Sequence, residues 1–142
     1  YFEAKDLPEL WDFFTALPTT VVVDHMGRPD VTKPVDGPEF QRFVRLMREH
    51  PNVWSKVSCP ERLSVSGPPG YDDVVPFARH LVEAFPDRVL WGTDWPHPNM
   101  KTHMPDDGKL VDFVPRIATT PALQRKLLVD NPMRLYWKDS SA

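Results

Sequence analysis

Cysteine, long apolar runs and an excess of positive charge are what this sequence lacks. Its 142 residues include one cysteine, Cys59, which excludes an internal disulfide and favours a reducing compartment, so we expect a cytoplasmic protein. No apolar run approaches the ~20 residues that a membrane-spanning helix requires. Lys and Arg total 17 against 20 Asp and Glu, without the basic stripe typical of nucleic-acid binding. We therefore expect neither a membrane nor a nucleic-acid partner.

Glycine is also scarce, with 6 residues, whereas proline is abundant, with 17. No glycine-rich phosphate-binding loop is present, because the segment Gly67-Pro68-Pro69-Gly70 is typical of a turn. The prolines lie between periodic segments rather than in one tract, which predicts stiff loops rather than disorder. With 41% apolar and 26% charged residues, the composition is that of an ordinary globular domain.

Apolar residues recur with helical spacing in some segments and run continuously in others. The helical spacing predicts helices over 6–17, 38–49, 72–85 and 110–117 and another that begins at Thr120 as its cap. The continuous runs predict strands over 19–23, 53–58 and 89–91, with Tyr1-Phe2 as the end of an earlier strand. Strands that alternate with helices indicate an α/β fold with a parallel sheet.

The number of strands bears on how much of a domain is present. Three strands and the end of a fourth cannot close a (β/α)8 TIM barrel, which takes roughly 250 residues. The chain also begins with Tyr1 rather than with an initiator methionine. We therefore expect a fragment.

Three loops follow the three strands, and each supplies a polar residue of a type that catalyses reactions: His25, Arg62 and Asp94. Parallel strands place such loops at one edge of the sheet, so we expect these side chains to converge. Asp94 suits a general base that deprotonates water, or a ligand to a divalent metal. The alternative is a structural Asp that accepts backbone N–H bonds in the turn before Pro96.

The other candidates also have structural alternatives. His25 suits polarisation of a carbonyl or metal binding, or it is only a hydrogen-bonded residue of a tight loop. Arg62 and Arg28 suit carboxylate recognition through paired N–H donors, or they are ordinary surface arginines. Cys59 is expected to be a small buried thiol rather than a nucleophile, since no Cys-His signature accompanies it. His97 is expected to be a solvated loop residue.

Three segments carry a resemblance to a known family: VVVDHMG at 21–27, VSCPERLS at 57–64 and WGTDWPHP at 91–98. On these residues the chain resembles the amidohydrolase superfamily over essentially its whole length, including Asn131–Trp137. The CPERLS segment and the loop at 104–108 are similar to a lactone-hydrolysing branch of that superfamily.

The resemblance implies that residues 1–142 are the C-terminal part of one (β/α)8 barrel domain, containing strands six to eight and the end of strand five. It implies a hydrolase that opens the lactone of a dicarboxylated pyrone in the degradation of lignin-derived aromatic compounds. Asp94 would activate the hydrolytic water and His25 would polarise the lactone carbonyl. Arg62, Arg28 and Tyr1 would bind this small dicarboxylate substrate.

The resemblance also implies that part of the site lies elsewhere. The family's His-x-His pair and further carboxylate-binding residues are outside these 142 residues, so we expect the isolated chain to be inactive. Many superfamily members bind zinc or manganese, whereas the branch that this chain resembles works without a divalent metal, so we predict no metal and no cofactor. Two other functions stay open: a metal-dependent amidohydrolase or lactonase with another substrate, and a non-catalytic truncated domain.

Overall fold

A three-stranded parallel sheet organises the chain. The computed structural model describes residues 1–137, and its strands are β1 (Val21–Val23), β2 (Val53–Lys56) and β3 (Val89–Leu90) in the order β1-β2-β3. All neighbouring strands are parallel. The carboxyl ends of the strands therefore lie along one edge of the sheet, as the alternation of elements predicts.

Seven α-helices surround and follow the sheet within residues 1–137. They are α1 (Leu7–Thr15), α2 (Pro38–Glu49), α3 (Pro60–Leu63), α4 (Val75–Ala84), α5 (Asp107–Ile117), α6 (Pro121–Arg125) and α7 (Asn131–Tyr136). A short 3-10 turn precedes α1 at Ala4–Asp6, and a tight turn with left-handed backbone follows β1 at Asp24–Gly27. A π-helical turn at Lys126–Asp130 joins α6 to α7.

Helix starts show which local signals the sequence encodes. The bounds of α2 are those predicted, and the Thr120 hydroxyl accepts a hydrogen bond from the Leu123 N–H, as expected of a cap. Asp6, where the first helix is predicted to begin, makes no side-chain cap bond to α1, although its backbone is already helical. Helix α5 begins three residues earlier than predicted because Asp106 accepts hydrogen bonds from its first amides.

The core lies between the sheet and the helices that cover it. Helix α2 buries an apolar face at the predicted spacing, and α4 and α5 pack against each other. The α2 side chains in this core are Phe40, Phe43, Val44, Leu46 and Met47. The packing of these buried side chains holds the strand ends, and hence the loops that follow them, in fixed positions.

The structure differs from the sequence-based expectation at its first residues. It has three strands within residues 1–137, because Tyr1–Glu3 are irregular and are not paired with β1. The loop after β2 contains α3, which the sequence pattern did not predict. The last residues of the expected domain, 138–142, lie outside the described part of the chain.

No helix within residues 1–137 has both the length and the apolar character needed to cross a lipid bilayer. This finding agrees with the lack of a long apolar run in the sequence.

Asp73 ties down the loop between α3 and α4, and this gives a testable prediction. Its carboxylate accepts hydrogen bonds from the hydroxyls and backbone N–H groups of Ser64, Val65 and Ser66. Burial opposes ionisation, but these bonds outweigh it and lower the pKa of Asp73 to about 2. Because the folded pKa is below the ordinary value of 3.8, the stabilisation is present above that value and is lost as pH falls towards 2.

We expect Asp73→Asn to speed hydrogen exchange at the amides of Val65 and Ser66 at neutral pH, since an amide cannot accept all four bonds. Asp72→Asn is the control, because Asp72 contacts Arg116 instead. Equal protection of the two amides in the Asp73 variant and the unmodified protein would contradict the prediction.

Candidate active site

After each strand, a residue other than glycine has left-handed backbone, and each of these residues belongs to the site described below. After β1, β2 and β3, the φ angles are 51° at His25, 65° at Cys59 and 64° at Asp94. Residues other than glycine seldom adopt such angles, and the surrounding structure must hold them there. Strained backbone of this kind clusters at functional sites, so these residues indicate a functional site at the edge of the sheet where the strands end.

The loop after β1 depends on one glycine. Gly27 has φ 66°, and a Cβ there would lie 3.1 Å from the Phe2 ring and 3.2 Å from the Phe43 ring. A larger residue would therefore collide with the core as well as strain the backbone. Gly27 thus lets the loop fold tightly under His25 and Arg28.

Asp94 lies between an imidazole and a guanidinium. Its Oδ1 is 3.7 Å from Nε2 of His25, and its Oδ2 is 3.8 Å from Nη1 of Arg62. The three side chains come from the loops after β3, β1 and β2, so the predicted convergence is confirmed. All three are largely shielded from solvent, and Asp94 keeps the largest exposed side-chain fraction of the three, at 24%.

His25 is buried and held by a residue that the sequence analysis did not single out. Its Nδ1 lies 2.8 Å from the Ser58 hydroxyl, which is itself buried. Burial lowers the pKa of His25 more than the charge of Asp94 raises it, so the ring is neutral at neutral pH. Ser58 lies two residues after β2 and directly precedes Cys59, and this position is the only sequence signal that points to it.

The remaining predicted residues join the same cluster. The Arg28 guanidinium donates to the Tyr1 hydroxyl at 2.6 Å, and the guanidinium carbons of Arg28 and Arg62 lie 5.7 and 5.8 Å from the Tyr1 ring centroid. The Tyr1 and His25 rings are 6.4 Å apart. Tyr1, Arg28, Arg62, His25 and Asp94 are therefore neighbours.

A cavity of about 480 Å³ opens beside Asp94 and His25, and its lining includes Asp24 and Lys56. Lys56 Nζ lies 2.7 Å from Asp24 Oδ1. Burial alone would raise the pKa of Asp24, but the hydrogen bond and charge of Lys56 outweigh it, so the pKa is lowered. The Asp24 carboxylate is already paired and is not free to act as a base.

A second cavity, of about 510 Å³, has a cationic lining. Arg28, Arg62 and Lys101 line it, together with one acidic residue, Glu61. Paired N–H donors of arginine match the geometry of carboxylates, so this lining favours a negatively charged ligand.

Behind Asp94 lie polar residues whose burial the sequence did not predict. His97 is 3% exposed, so the expectation of a solvated loop residue was wrong; its Nε2 lies 2.9 Å from Asp107 Oδ1. Glu61 is also buried, and burial raises its pKa. Cys59 is buried as predicted, and burial raises the pKa of its thiol well beyond the ordinary range.

His25, Cys59 and Asp94 each offer a donor atom within 4.8 Å of the others, which raises the question of a metal. A thiol must lose its proton to bind a metal, and burial holds the proton on Cys59. The Arg62 guanidinium, 3.8 Å from Asp94, already supplies a positive charge to the carboxylate. In the absence of a metal, the protonated thiol and the guanidinium beside Asp94 both disfavour a divalent cation at this cluster.

This is an α/β protein whose candidate active site lies in the loops after its parallel strands. The site contains an acid, an imidazole and guanidinium groups. The chain belongs to the amidohydrolase family: the family profile described as Amidohydrolase matches residues 1–137.

Similar proteins agree with this family. The chain is 76% identical over 146 residues to the 2-pyrone-4,6-dicarboxylate hydrolase of Comamonas testosteroni, covering 98% of this chain and 48% of that protein. It is 43% identical over 138 residues to the 4-sulfomuconolactone hydrolase of Rhizobium radiobacter, covering 96% and 46%.

A crystal structure of a probable 2-pyrone-4,6-dicarboxylic acid hydrolase from Acinetobacter baumannii with bound citric acid superposes with a TM-score of 0.77. The identity is 25%, and the match covers 96% of this chain and 50% of that one. The chain spans about half the length of the curated relatives it matches.

Proposed function

We propose that this chain is the C-terminal half of a hydrolase that opens the lactone of 2-pyrone-4,6-dicarboxylate. The observation that carries the proposal is the position of Asp94, between the imidazole of His25 and the guanidinium of Arg62. The 76% identity to a hydrolase of this name supports the choice of substrate. The three strands correspond to strands six to eight of a (β/α)8 barrel, whose earlier strands would complete the cavity.

In the proposed reaction, Asp94 acts as a general base. Its carboxylate takes a proton from water, and the resulting hydroxide attacks the lactone carbonyl carbon. The ester C–O bond then breaks, Asp94 returns its proton to the leaving enolate oxygen to give an enol, and the new carboxylic acid releases its own proton to solvent to give a carboxylate. A carboxylate that is partly shielded from solvent and already oriented performs this step without reorganising its surroundings.

His25 stabilises the negative charge that develops on the carbonyl oxygen. The Ser58 hydroxyl lies 2.8 Å from Nδ1, and in the proposed tautomer it donates to that nitrogen while the proton of the neutral ring is on Nε2. Nε2–H then faces the cavity beside Asp94 and can donate a hydrogen bond to the carbonyl oxygen. The same residues that shield His25 from solvent therefore also select its useful tautomer.

Arg62 and Arg28 bind the two carboxylates of the substrate. Both guanidinium groups line the cationic cavity and flank the Tyr1 ring. A doubly charged substrate requires such charges because each carboxylate loses its water shell on binding. Tyr1 contributes an apolar face and a hydroxyl that Arg28 already holds.

The proposal predicts that the complete protein hydrolyses 2-pyrone-4,6-dicarboxylate and that the isolated chain does not. Loss of pyrone absorbance and proton release in a pH-stat measure the reaction independently. After dialysis against a chelator, we expect the rate to be unchanged, because the proposed steps use Asp94 and His25 and no metal ion. The sulfonated lactone of the Rhizobium relative is the competing substrate, with a lower kcat/KM expected.

Other outcomes identify the alternatives. Activity that is lost on chelation and restored by zinc or manganese would indicate a metal-dependent lactonase and contradict the proposed mechanism. A complete protein that opens neither lactone would indicate a non-catalytic domain, with Asp94 and His25 serving only as turn residues.

A further inference from the structure

A line of polar side chains leads from Asp94 away from the cavity, and the proposed reaction does not use it. Cys59 Sγ lies 3.4 Å from Asp94 Oδ2 and 3.4 Å from Glu61 Oε1. Glu61 Oε1 lies 3.4 Å from His97 Nδ1, and His97 Nε2 lies 2.9 Å from Asp107 Oδ1. The line therefore runs from the candidate base to a partly exposed carboxylate at the start of α5.

The middle of this line is fully shielded from solvent. The side chains of Glu61 and His97 are 0% and 2% exposed, and Cys59 is 1% exposed. Within residues 1–137, Glu61 Oε2 and His97 Nδ1 have no hydrogen-bond partner of good geometry. Burying such groups is costly, and a functional role is one reason for a protein to retain them.

The number of protons decides how the line is arranged. The thiol of Cys59 has one hydrogen and two carboxyl oxygens within reach, so it can satisfy only one of them. Burial raises the pKa of Glu61, and a protonated carboxyl group is a weaker acceptor than a carboxylate. The hydrogen of Cys59 is then left for Asp94.

We infer that Cys59 is a positioning residue for Asp94. The S–H of Cys59 holds Oδ2 of Asp94, because Glu61 is the weaker of the two acceptors within its reach. The inference rests on the proposed role of Asp94 as the base.

This arrangement assigns different tasks to the two oxygens of Asp94. Oδ2 faces the Cys59 thiol and the Arg62 guanidinium, whereas Oδ1 faces Nε2 of His25. A carboxylate fixed in this way presents Oδ1 to the water and to the carbonyl that His25 polarises. Orientation of this kind accounts for a large share of rate enhancement in enzymes, because the base is already in its reactive orientation when the substrate binds.

The test uses the complete protein and two substitutions of Cys59. Cys59→Ala removes the donor and Cys59→Ser retains one, while both keep a Cβ at the strained φ of 65°. We expect Cys59→Ala to lower kcat about tenfold or more, the usual effect of losing a hydrogen bond to a charged group. KM should change less than threefold, and Cys59→Ser should recover most of the rate.

A pH profile separates positioning from a merely structural role. The titratable and charged groups that face Asp94 are His25, Cys59, Glu61 and Arg62. Without the thiol donor, the charged form of Asp94 loses support, so the acid limb of the kcat profile should move to higher pH in Cys59→Ala. In Cys59→Ser the limb should stay near its original position.

Glu61 is tested as the competing acceptor. Glu61→Leu removes the acceptor that faces the thiol and leaves Cys59 and Asp94 in place, so kcat should change less than threefold. A loss of tenfold or more in a folded Glu61→Leu variant would overturn the assignment of the thiol hydrogen to Asp94.

An unchanged kcat and pH profile in Cys59→Ala would overturn the inference as a whole. That comparison decides even if Glu61→Leu does not fold, because replacing Cys59 by Ala removes a single buried atom. Failure of the proposed function gives a different result. If the proposed function fails, the parent protein hydrolyses no lactone. If only the inference fails, the parent protein is active, Asp94→Asn loses this activity and Cys59→Ala retains it.

Discussion

Replacement of Asp94 by Asn in the complete protein is expected to lower kcat for 2-pyrone-4,6-dicarboxylate by about 10³-fold, in the range typical of a lost general base. The amide has the shape of the carboxylate but cannot take a proton from water. Asn also tolerates left-handed backbone, so the φ of 64° at residue 94 remains accessible. Single-turnover and steady-state rates of lactone opening measure the loss.

The same variant separates a catalytic Asp94 from a structural one. If Asp94 only formed the turn before Pro96, its replacement would lower the melting temperature while turnover stayed largely intact, which would contradict the prediction. Asp24→Asn is the matched control, because Asp24 lines the same cavity but is paired with Lys56. We expect this control to lose less than about tenfold.

Replacement of Arg62 by Met is expected to lower kcat/KM by about 100-fold, mostly through a higher KM. Loss of charge-assisted hydrogen bonds to a carboxylate costs up to ~3 kcal/mol, which corresponds to about two orders of magnitude. Arg62→Lys should recover only part of this loss, since an ammonium lacks the planar fork that binds both carboxylate oxygens. Initial rates over a range of substrate concentrations give both constants.

An arginine remote from the site provides the control for charge alone. Arg45→Met removes an exposed guanidinium that pairs with Glu49 on α2, and it should leave kcat/KM unchanged. An Arg62→Met variant with an unchanged KM and a much lower kcat would contradict substrate binding. That result would instead indicate that Arg62 acts on Asp94, 3.8 Å away.

Much of the fold could be predicted because its signals are local. The bounds of α2 follow from a proline in the first turn and an apolar face of helical period, both of which are read within a dozen residues. The parallel order of the strands follows from their alternation with helices. The positions of the strand ends were predicted less accurately. Strand β2 is predicted to end at Ser58 but ends at Lys56, after which the chain turns towards the site.

The candidate site residues could be predicted for a related reason. His25, Arg62 and Asp94 each follow a strand closely, and parallel strands bring their carboxyl ends to one edge whatever the helices between them contain. The sequence therefore predicts that they meet, although it does not predict that Asp94 uses a different oxygen for each neighbour.

By itself, the sequence determined the order of strands and helices, the edge of the sheet where polar groups gather, and the type of chemistry they can support. Only the tertiary structure decided that Ser58 holds His25 and that Glu61 and His97 are buried behind Asp94. The reason is that burial and hydrogen bonding of these side chains depend on loops from different strands. Periodicity and spacing describe one element at a time, whereas such contacts exist only once the elements have packed together.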